Sequence, residues 1–484
     1  MPEANALFTD FKNNLRIIET VKSDKLMLTI FCNNNYKTER EYICKVLLSE
    51  FLGIEYEIRF QDRKDWMITE NNRDIKILLP DILFQSSSED WLTEKSLPVQ
   101  PLKIWDISRH EIDCLVVDNK IPIIYGNMIN ISSGSKEHPN IPLDIFGSAF
   151  FMLTCYEDIA NKTIDLHGRF PATASISFKE GFLDRPIINE YVEILWGLLK
   201  KCWPNFKRKK RFFRVLPSHD IDIPFKWFFL KSSQLMRTLG ADIFIRKKPQ
   251  TAFQNLRSYF KIKINPALDP YNNFDLIMDL SEKHALKSAF YFMAGGETQF
   301  DPLNYQLDHP IVKEIIIKIC NRGHEIGFHP SYASATREDI WNQEYYNLRT
   351  VILPNNITGG RQHYLRSLVP ITWRIWDMNG LKYDSSLGYA DHSGFRCGIC
   401  YEYTLFDLID RKRLNIKERP LIVMDCSVMD KRYMNMGATQ KAFDYMNNLK
   451  SKCKMFNGDF TLLWHNDRFQ IKDEINIYEQ LISQ

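Results

Sequence analysis

Several things are missing from this sequence, and each absence narrows the reading. No apolar stretch approaches the roughly 20 residues needed to span a bilayer. The most apolar segment, residues 145–156, carries Gly147, Ser148 and Thr154, and no transmembrane helix is expected. Net charge is only +3 over 484 residues, which supplies no global field for nucleic acid or an acidic surface. The start, Met1-Pro2-Glu3 onward, is acidic and lacks the basic-then-apolar order of a secretory signal, so a cytoplasmic location is expected. Paired cysteines are also scarce. The ten cysteines stand singly apart from Cys397-Gly398-Ile399-Cys400, and with no second pair at zinc-ribbon spacing they read as reduced, mostly buried thiols.

What is present is the composition of a folded protein: 44% hydrophobic and 25% charged residues leave no room for a long disordered tract. The length exceeds what one core usually organises, so two domains are expected, 1–205 and 206–484. The cut falls where Cys202-Trp203-Pro204 and the basic run 207–211 interrupt two apolar patterns, and the run reads as a solvated linker. Before it, a strand at 25–32, an amphipathic helix at 37–52, short apolar runs at 75–79 and 121–125, and helices at 145–156 and 187–200 predict an accessory α/β domain. Ile188, Tyr191, Val192, Leu195 and Leu199 form the buried face of the last helix. His110, His138 and His167 lie far apart and read as structural.

After the cut, short apolar runs recur as in a parallel sheet or barrel with connecting helices. Seven strands are predicted, at 212–217, 287–293, 324–329, just before Arg361, 381–383, 421–425 and 460–465. A mostly helical insertion fills about 225–273. Together these predict an irregular (β/α)7-type barrel.

Ligands in such folds bind at the carboxyl ends of the strands. The first run ends in His219-Asp220-Ile221-Asp222, where extended backbone points Asp220 and Asp222 to one side and a metal would relieve their repulsion. A plain turn before Pro224 is the alternative. The third run ends in Gly323-His324-Glu325-Ile326-Gly327-Phe328-His329. There His329 is last in the strand, and His324 begins it at the end of the fold that stabilises. Arg361-Gln362-His363-Tyr364 and Leu463-Trp464-His465 each carry a histidine at a strand exit. Any one of these could be a half-buried structural histidine, but four such clusters at one end of successive strands form a site.

These motifs, in this order, resemble the polysaccharide deacetylase superfamily (NodB homology, carbohydrate esterase family 4) from about Phe212 to the C-terminus. The further combination of Arg361-Gln362-His363-Tyr364, the run from Tyr383-Asp384-Ser385-Ser386 to His392, and Trp464-His465-Asn466 resembles a divergent bacterial branch. That branch carries an N-terminal domain of unknown function and is associated with surface polysaccharides. The resemblance implies a deacetylase barrel acting on an N-acetylated saccharide. Asp220 would be the catalytic base, Asp222 and His329 metal ligands, Arg361 a site-shaping residue and His465 the general acid. It further implies a divalent metal ion, zinc or a similar one. The chain departs from the family at position 333, where alanine replaces a second metal histidine. His363 stands in place of a proline and is the candidate for the missing ligand, with His392 and Asn466 as fallbacks.

A backbone N–H near Tyr364 would hold the oxyanion, and Asp384 or Asp391 would orient His465. Tyr332, Tyr364, Tyr389 and Trp464 would offer faces to pyranose rings. The rival reading is a non-catalytic saccharide-binding protein on a degenerate barrel. A nucleic-acid or membrane partner would have to rest on residues 207–211 and 246–248. No reader motif or strong net charge supports it. Oligomeric state is not legible.

Overall fold

The computed structural model describes residues 27–70, 75–127, 141–302 and 305–483. The acidic start, the first residues of the strand predicted at 25–32 and His138 lie outside them. In the first half, β1 (Leu28–Cys32), β2 (Tyr56–Phe60), β3 (Asp65–Glu70) and β4 (Lys76–Pro80) form a sheet in the order β2-β1-β3-β4. The predicted helix at 37–52 divides into α1 (Lys37–Cys44) and a π-helical continuation, Lys45–Leu52. The strands β5 (Lys103–Asp106) and β6 (Lys120–Ile123) pair antiparallel. They are followed by α2 (Ile145–Leu153) and α3 (Ile187–Cys202). All five apolar residues predicted for the inner face of α3 are buried.

In the second half a mostly parallel nine-stranded sheet is built from β7 (Arg214–Ile221), β8 (Ala289–Phe292), β9 (Glu325–Phe328), β10 (Gly359–Gly360), β11 (Tyr383–Asp384), β12 (Tyr403–Asp407), β13 (Lys412–Glu418), β14 (Val423–Met424) and β15 (Asp459–Leu463). Its hydrogen-bonded order is linear, β12-β13-β11-β10-β9-β8-β7-β15-β14. Seven of the strands correspond to the seven predicted runs and pair parallel in the order β11-β10-β9-β8-β7-β15-β14. The hairpin β12–β13 is an addition, parallel to β11 through β13 and antiparallel within itself. Strands β8 and β15 are buried along their whole length, as expected when a parallel sheet is covered on both faces. The predicted insertion is helical, α4 (Ser232–Gly240) and α5 (Pro249–Ile264). The remaining helices are α6 (Phe274–Lys283), α7 (Pro310–Asn321), α8 (Glu338–Ile352), α9 (Ile371–Met378), α10 (Gln440–Met455) and α11 (Lys472–Ile482).

Two tyrosines fill the inner face of the sheet, and two glycines make room for them. The hydroxyls of Tyr291 and Tyr383 are 3.0 Å apart. A Cβ on Gly327 would stand 2.3 Å from the Tyr291 ring, and one on Gly359 would stand 2.4 Å from the Tyr383 ring. Any side chain at either position would displace an aromatic ring from a close-packed interior. Above this plug, toward the strand exits, the inner face turns polar.

The halves divided at 205/206 share one hydrophobic cluster. The Tyr42 ring lies 4.8 Å from Phe406 and its hydroxyl donates to the Thr404 carbonyl, and Glu39 pairs with Arg411. These contacts place α1 against the hairpin at the end of the sheet, a place where an uncovered strand edge would invite association. The basic run is not simply solvated: Arg208 pairs with Glu193, and Arg211 lies 3.9 Å from the Tyr401 ring. All ten cysteines are free thiols. Among the described residues no helix is long and apolar enough to cross a membrane.

Candidate active site

The exits of β7, β9, β10 and β15 open into one cavity of about 320 Å³, lined among others by Asp220, Asp222, His329, His363 and His465. Asp220, buried one residue before the end of β7, is gripped by Arg361, whose Nη1 donates to Oδ1 at 2.8 Å. Arg361 is itself fully buried. It also donates to the Ser385 carbonyl, Ser385 Oγ and Ser218 Oγ, so the guanidinium is fixed by β7 and by the exit of β11. Removing one member of such a buried pair costs about 3–5 kcal/mol because the other is left uncompensated.

Asp222, His329 and His363 come together on one side of the cavity. Their ligand atoms lie within 4.8 Å of one another. His329 donates Nδ1–H to the Arg361 carbonyl at 2.6 Å, so its Nε2 lone pair faces the Asp222 Oδ1 at 3.1 Å. His363 sends Nδ1 to Asp301 at 3.1 Å, and its Nε2 stands 3.8 Å from the same Asp222 oxygen. That oxygen is buried and has no hydrogen-bond partner among the described residues. With both imidazoles neutral, three lone pairs aimed at one point repel unless positive charge sits among them, as a metal ion or as a proton on a ring nitrogen. Burial opposes charge on Asp222, yet His363 and His329 more than offset it and hold the carboxyl well below the usual range. Burial likewise works against a charged His329, and Asp220 and Asp222 outweigh it and raise its pKa. Two imidazoles and a carboxylate, each imidazole oriented through its other nitrogen, suit a divalent ion such as zinc. Ala333 lies in a short turn after His329 and contributes no ligand.

On the other side stands His465. Its Nδ1 lies 2.8 Å from Asp425 Oδ1, and its backbone N–H donates to Asp425 Oδ2 at 2.7 Å. Burial disfavours the imidazolium, but the Asp425 carboxylate prevails and holds the His465 pKa up at about 10. Asp425, Cys426 and His465 also sit close enough to hold an ion. However, both Asp425 oxygens already accept hydrogen bonds, from His465 and from the Cys426 N–H, so this trio is satisfied internally.

Other predicted positions fall elsewhere. Asp384 accepts from Ser386 and Asp391 from the Ala172 N–H; the carboxylate that orients His465 is Asp425. His392 faces Asp391, and Asn466 ties the Ile223 and Tyr271 carbonyls, so neither joins Asp222. Trp464 is fully buried against Tyr478, and Tyr389 packs with Phe170 and Leu183. Neither offers a face to a sugar, because Trp464 alternates to the side of β15 opposite His465. Tyr364 lines the cavity with Phe300, whereas Tyr332 packs at a tilt against Phe300, ring centres 4.4 Å apart, and does not line it.

The first half reaches the site as well. Arg169 lines the cavity and donates Nη1 to the Tyr364 carbonyl at 2.6 Å, while the His167 carbonyl accepts from Arg366. Tyr364 and Leu365 both have left-handed backbone, φ 63° and 52°, a strain of about 1–3 kcal/mol each. The clamp from residues 165–169 holds that strained turn in place.

Residues 28–204 match a family of unknown function, DUF7033. No curated protein matches the chain in sequence. Three solved structures resemble it distantly. A protein from Mycobacterium smegmatis assigned as a polysaccharide deacetylase is 14% identical, covering 57% of this chain and 84% of its own, with a TM-score of 0.37. One from Pseudomonas aeruginosa with the same assignment is 12% identical over 56% and 84%, TM-score 0.35. The polysaccharide deacetylase of Bacillus cereus is 11% identical over 56% and 86%, TM-score 0.27.

Proposed function

We propose that this chain is a metal-dependent hydrolase that removes acetyl groups from an N-acetylated saccharide of the kind found in bacterial surface polysaccharides. The observation that carries the reading is one cavity with two opposed walls. Asp222, His329 and His363 aim three lone pairs at a point on one wall, and Asp425 holds His465 on the other, with Asp220 between them. Asp222, His329 and His363 would hold a divalent ion. Such an ion polarises a carbonyl and lowers the pKa of bound water toward neutrality.

The chain's own groups do the rest. Asp220, paired with Arg361, takes the proton of the water that adds to the acetamide carbon. His465 delivers its proton to the amide nitrogen as the C–N bond breaks, so the sugar leaves as an amine and the acyl group as acetate. Asp425 compensates the imidazolium before transfer. Tyr364 and Phe300 shape the wall where a pyranose ring packs.

The test is acetate release from N-acetylated oligosaccharides by protein loaded with zinc, cobalt or manganese. Release is expected with metal and is lost on exhaustive chelation. Release that persists in chelated, metal-free protein would refute the reading.

A further inference from the structure

Immediately after Asp222 the chain leaves the site for a helical hairpin, residues 226–268. Its inner face forms a small core of its own from Trp227, Leu235, Leu239, Ala252, Tyr259 and Ile262. Among the described residues nothing covers its outer face. At the tip, Phe244 and Ile245 are 80% and 79% exposed, and along α5 Phe253, Phe260 and Ile264 are 69%, 60% and 87% exposed. Positions 253, 260 and 264 fall on one stripe of a helix, beside the inner face that carries Ala252 and Tyr259. Single exposed apolar residues are ordinary, but this many on one hairpin mark an interaction surface.

The charge of the hairpin points to its occupant. Residues 226–268 contain nine lysines and arginines and one acidic residue, Asp242, in a chain whose net charge is only +3, so the rest of the molecule is net acidic. Arg246 and Asn255 already engage Asp242. Lys247, Lys248, Arg257 and Lys261 make no salt bridge among the described residues. The exposed triplet Ile243-Phe244-Ile245 is followed directly by the basic triplet Arg246-Lys247-Lys248. We infer that this hairpin docks the protein on an anionic phospholipid surface, the apolar tip entering the acyl boundary and the cations meeting headgroups.

Averaged over the whole chain, charge argues against any such partner; the fold adds that the apolar side chains beside these cations are exposed. A nucleic acid would use the cations but has no place for exposed Met236, Ile245 and Ile264. A two-fold pair of chains would set the basic face against itself. The hairpin is rooted at the cavity mouth. Asp269 accepts the N–H groups of Lys226, Trp227 and Phe228, and neighbouring Ile223 and Tyr271 line the mouth with Asp222. Docking therefore engages an element that joins the site's rim, and the inference does not depend on the reaction proposed above.

The test is co-sedimentation of the full chain with phosphatidylcholine vesicles, with and without roughly one third phosphatidylglycerol. Binding is expected only with the anionic lipid and should weaken with salt. Phe244→Ser/Ile245→Ser should reduce it about tenfold, and Lys247→Glu/Lys248→Glu by at least roughly fivefold per residue. Circular dichroism and unfolding temperature should stay unchanged, since these side chains support no core. The inference is overturned if the wild type ignores anionic vesicles or if both variants bind as the wild type does. It is equally overturned if Phe244→Ser/Ile245→Ser merely dissociates a dimer, or if only single-stranded nucleic-acid binding is lost.

Discussion

His363 and His465 face the same cavity from opposite walls and are built alike. Each directs Nδ1 to a buried carboxylate, Asp301 at 3.1 Å for His363 and Asp425 at 2.8 Å for His465. They differ in what the second nitrogen meets. The Nε2 of His363 converges with His329 on an Asp222 oxygen that nothing else satisfies. Asp425 behind His465 is instead satisfied within its own surroundings, by the His465 and Cys426 N–H groups, and its carboxylate holds the His465 pKa up at about 10. Two copies of one device, a carboxylate behind an imidazole, thus serve a ligand role and a proton-donor role, and the neighbours of Nε2 decide which.

The largest expected effects separate the two aspartates between those walls. Asp220→Asn should lower kcat by roughly 10²–10⁴-fold while metal content by elemental analysis stays near wild type. Asp222→Asn should lose turnover and metal together. Reversed metal contents would exchange the roles. Next comes the proton donor. Asp425→Asn removes the charge that raises the His465 pKa, so the imidazole should lose its proton at lower pH. Because the acid works only while protonated, the alkaline limb of the kcat profile should move to lower pH, with kcat at neutral pH down roughly a hundredfold. An unmoved limb would mean that His465 does not donate the proton. A metal at Asp222 lowers the pKa in both proteins, so the comparison is between the two profiles.

Much of this site was legible because one rule, that chemistry sits where parallel strands end, singles out Asp220, Asp222, His329, His363 and His465, while Arg361 comes from the family resemblance. The same rule reaches Asp425, which closes the predicted run 421–425 and stands directly past β14. Alternation, used to put Asp220 and Asp222 on one side, also places Trp464 opposite His465 and so excludes it from the cavity. The hairpin strand Lys412–Glu418 alternates exposed and buried residues and was visible in principle. Asp301 and Arg169 were not. Asp301 lies in irregular chain well past β8, and Arg169 comes from the other half, 195 residues from the carbonyl it holds. Neither has a local pattern, since each acquires its partner only when distant segments pack.

Asp301 gives the next test of the two-wall comparison. Asp301→Asn leaves Nδ1 of His363 with a neutral partner, and loss of such an orienting carboxylate typically weakens metal binding 10–100-fold. Competition against a chelating dye should show that drop, and excess metal should restore turnover. Asp425→Asn should bind metal as wild type does and should not be rescued by it. Equal metal sensitivity in the two variants would erase the distinction between the walls.

The smallest expected effect concerns the sugar. Tyr364 lines the cavity beside His363, its ring 4.8 Å from that imidazole, and its backbone carbonyl is held by Arg169. Tyr364→Ala deletes the ring but keeps the carbonyl, so the clamp survives and only a packing face is lost. Aromatic contacts of this kind contribute about 0.5–1.5 kcal/mol, so KM should rise roughly two- to tenfold with kcat little changed. Trp464→Phe is the paired control. Its indole is fully buried and its Nε1 has no partner, so the substitution trades some packing for removal of an unsatisfied donor. Stability should shift by no more than about 1.5 kcal/mol, and KM should not move. A KM that rises for Trp464→Phe and stays fixed for Tyr364→Ala would place the saccharide on the far side of β15, away from both histidine walls.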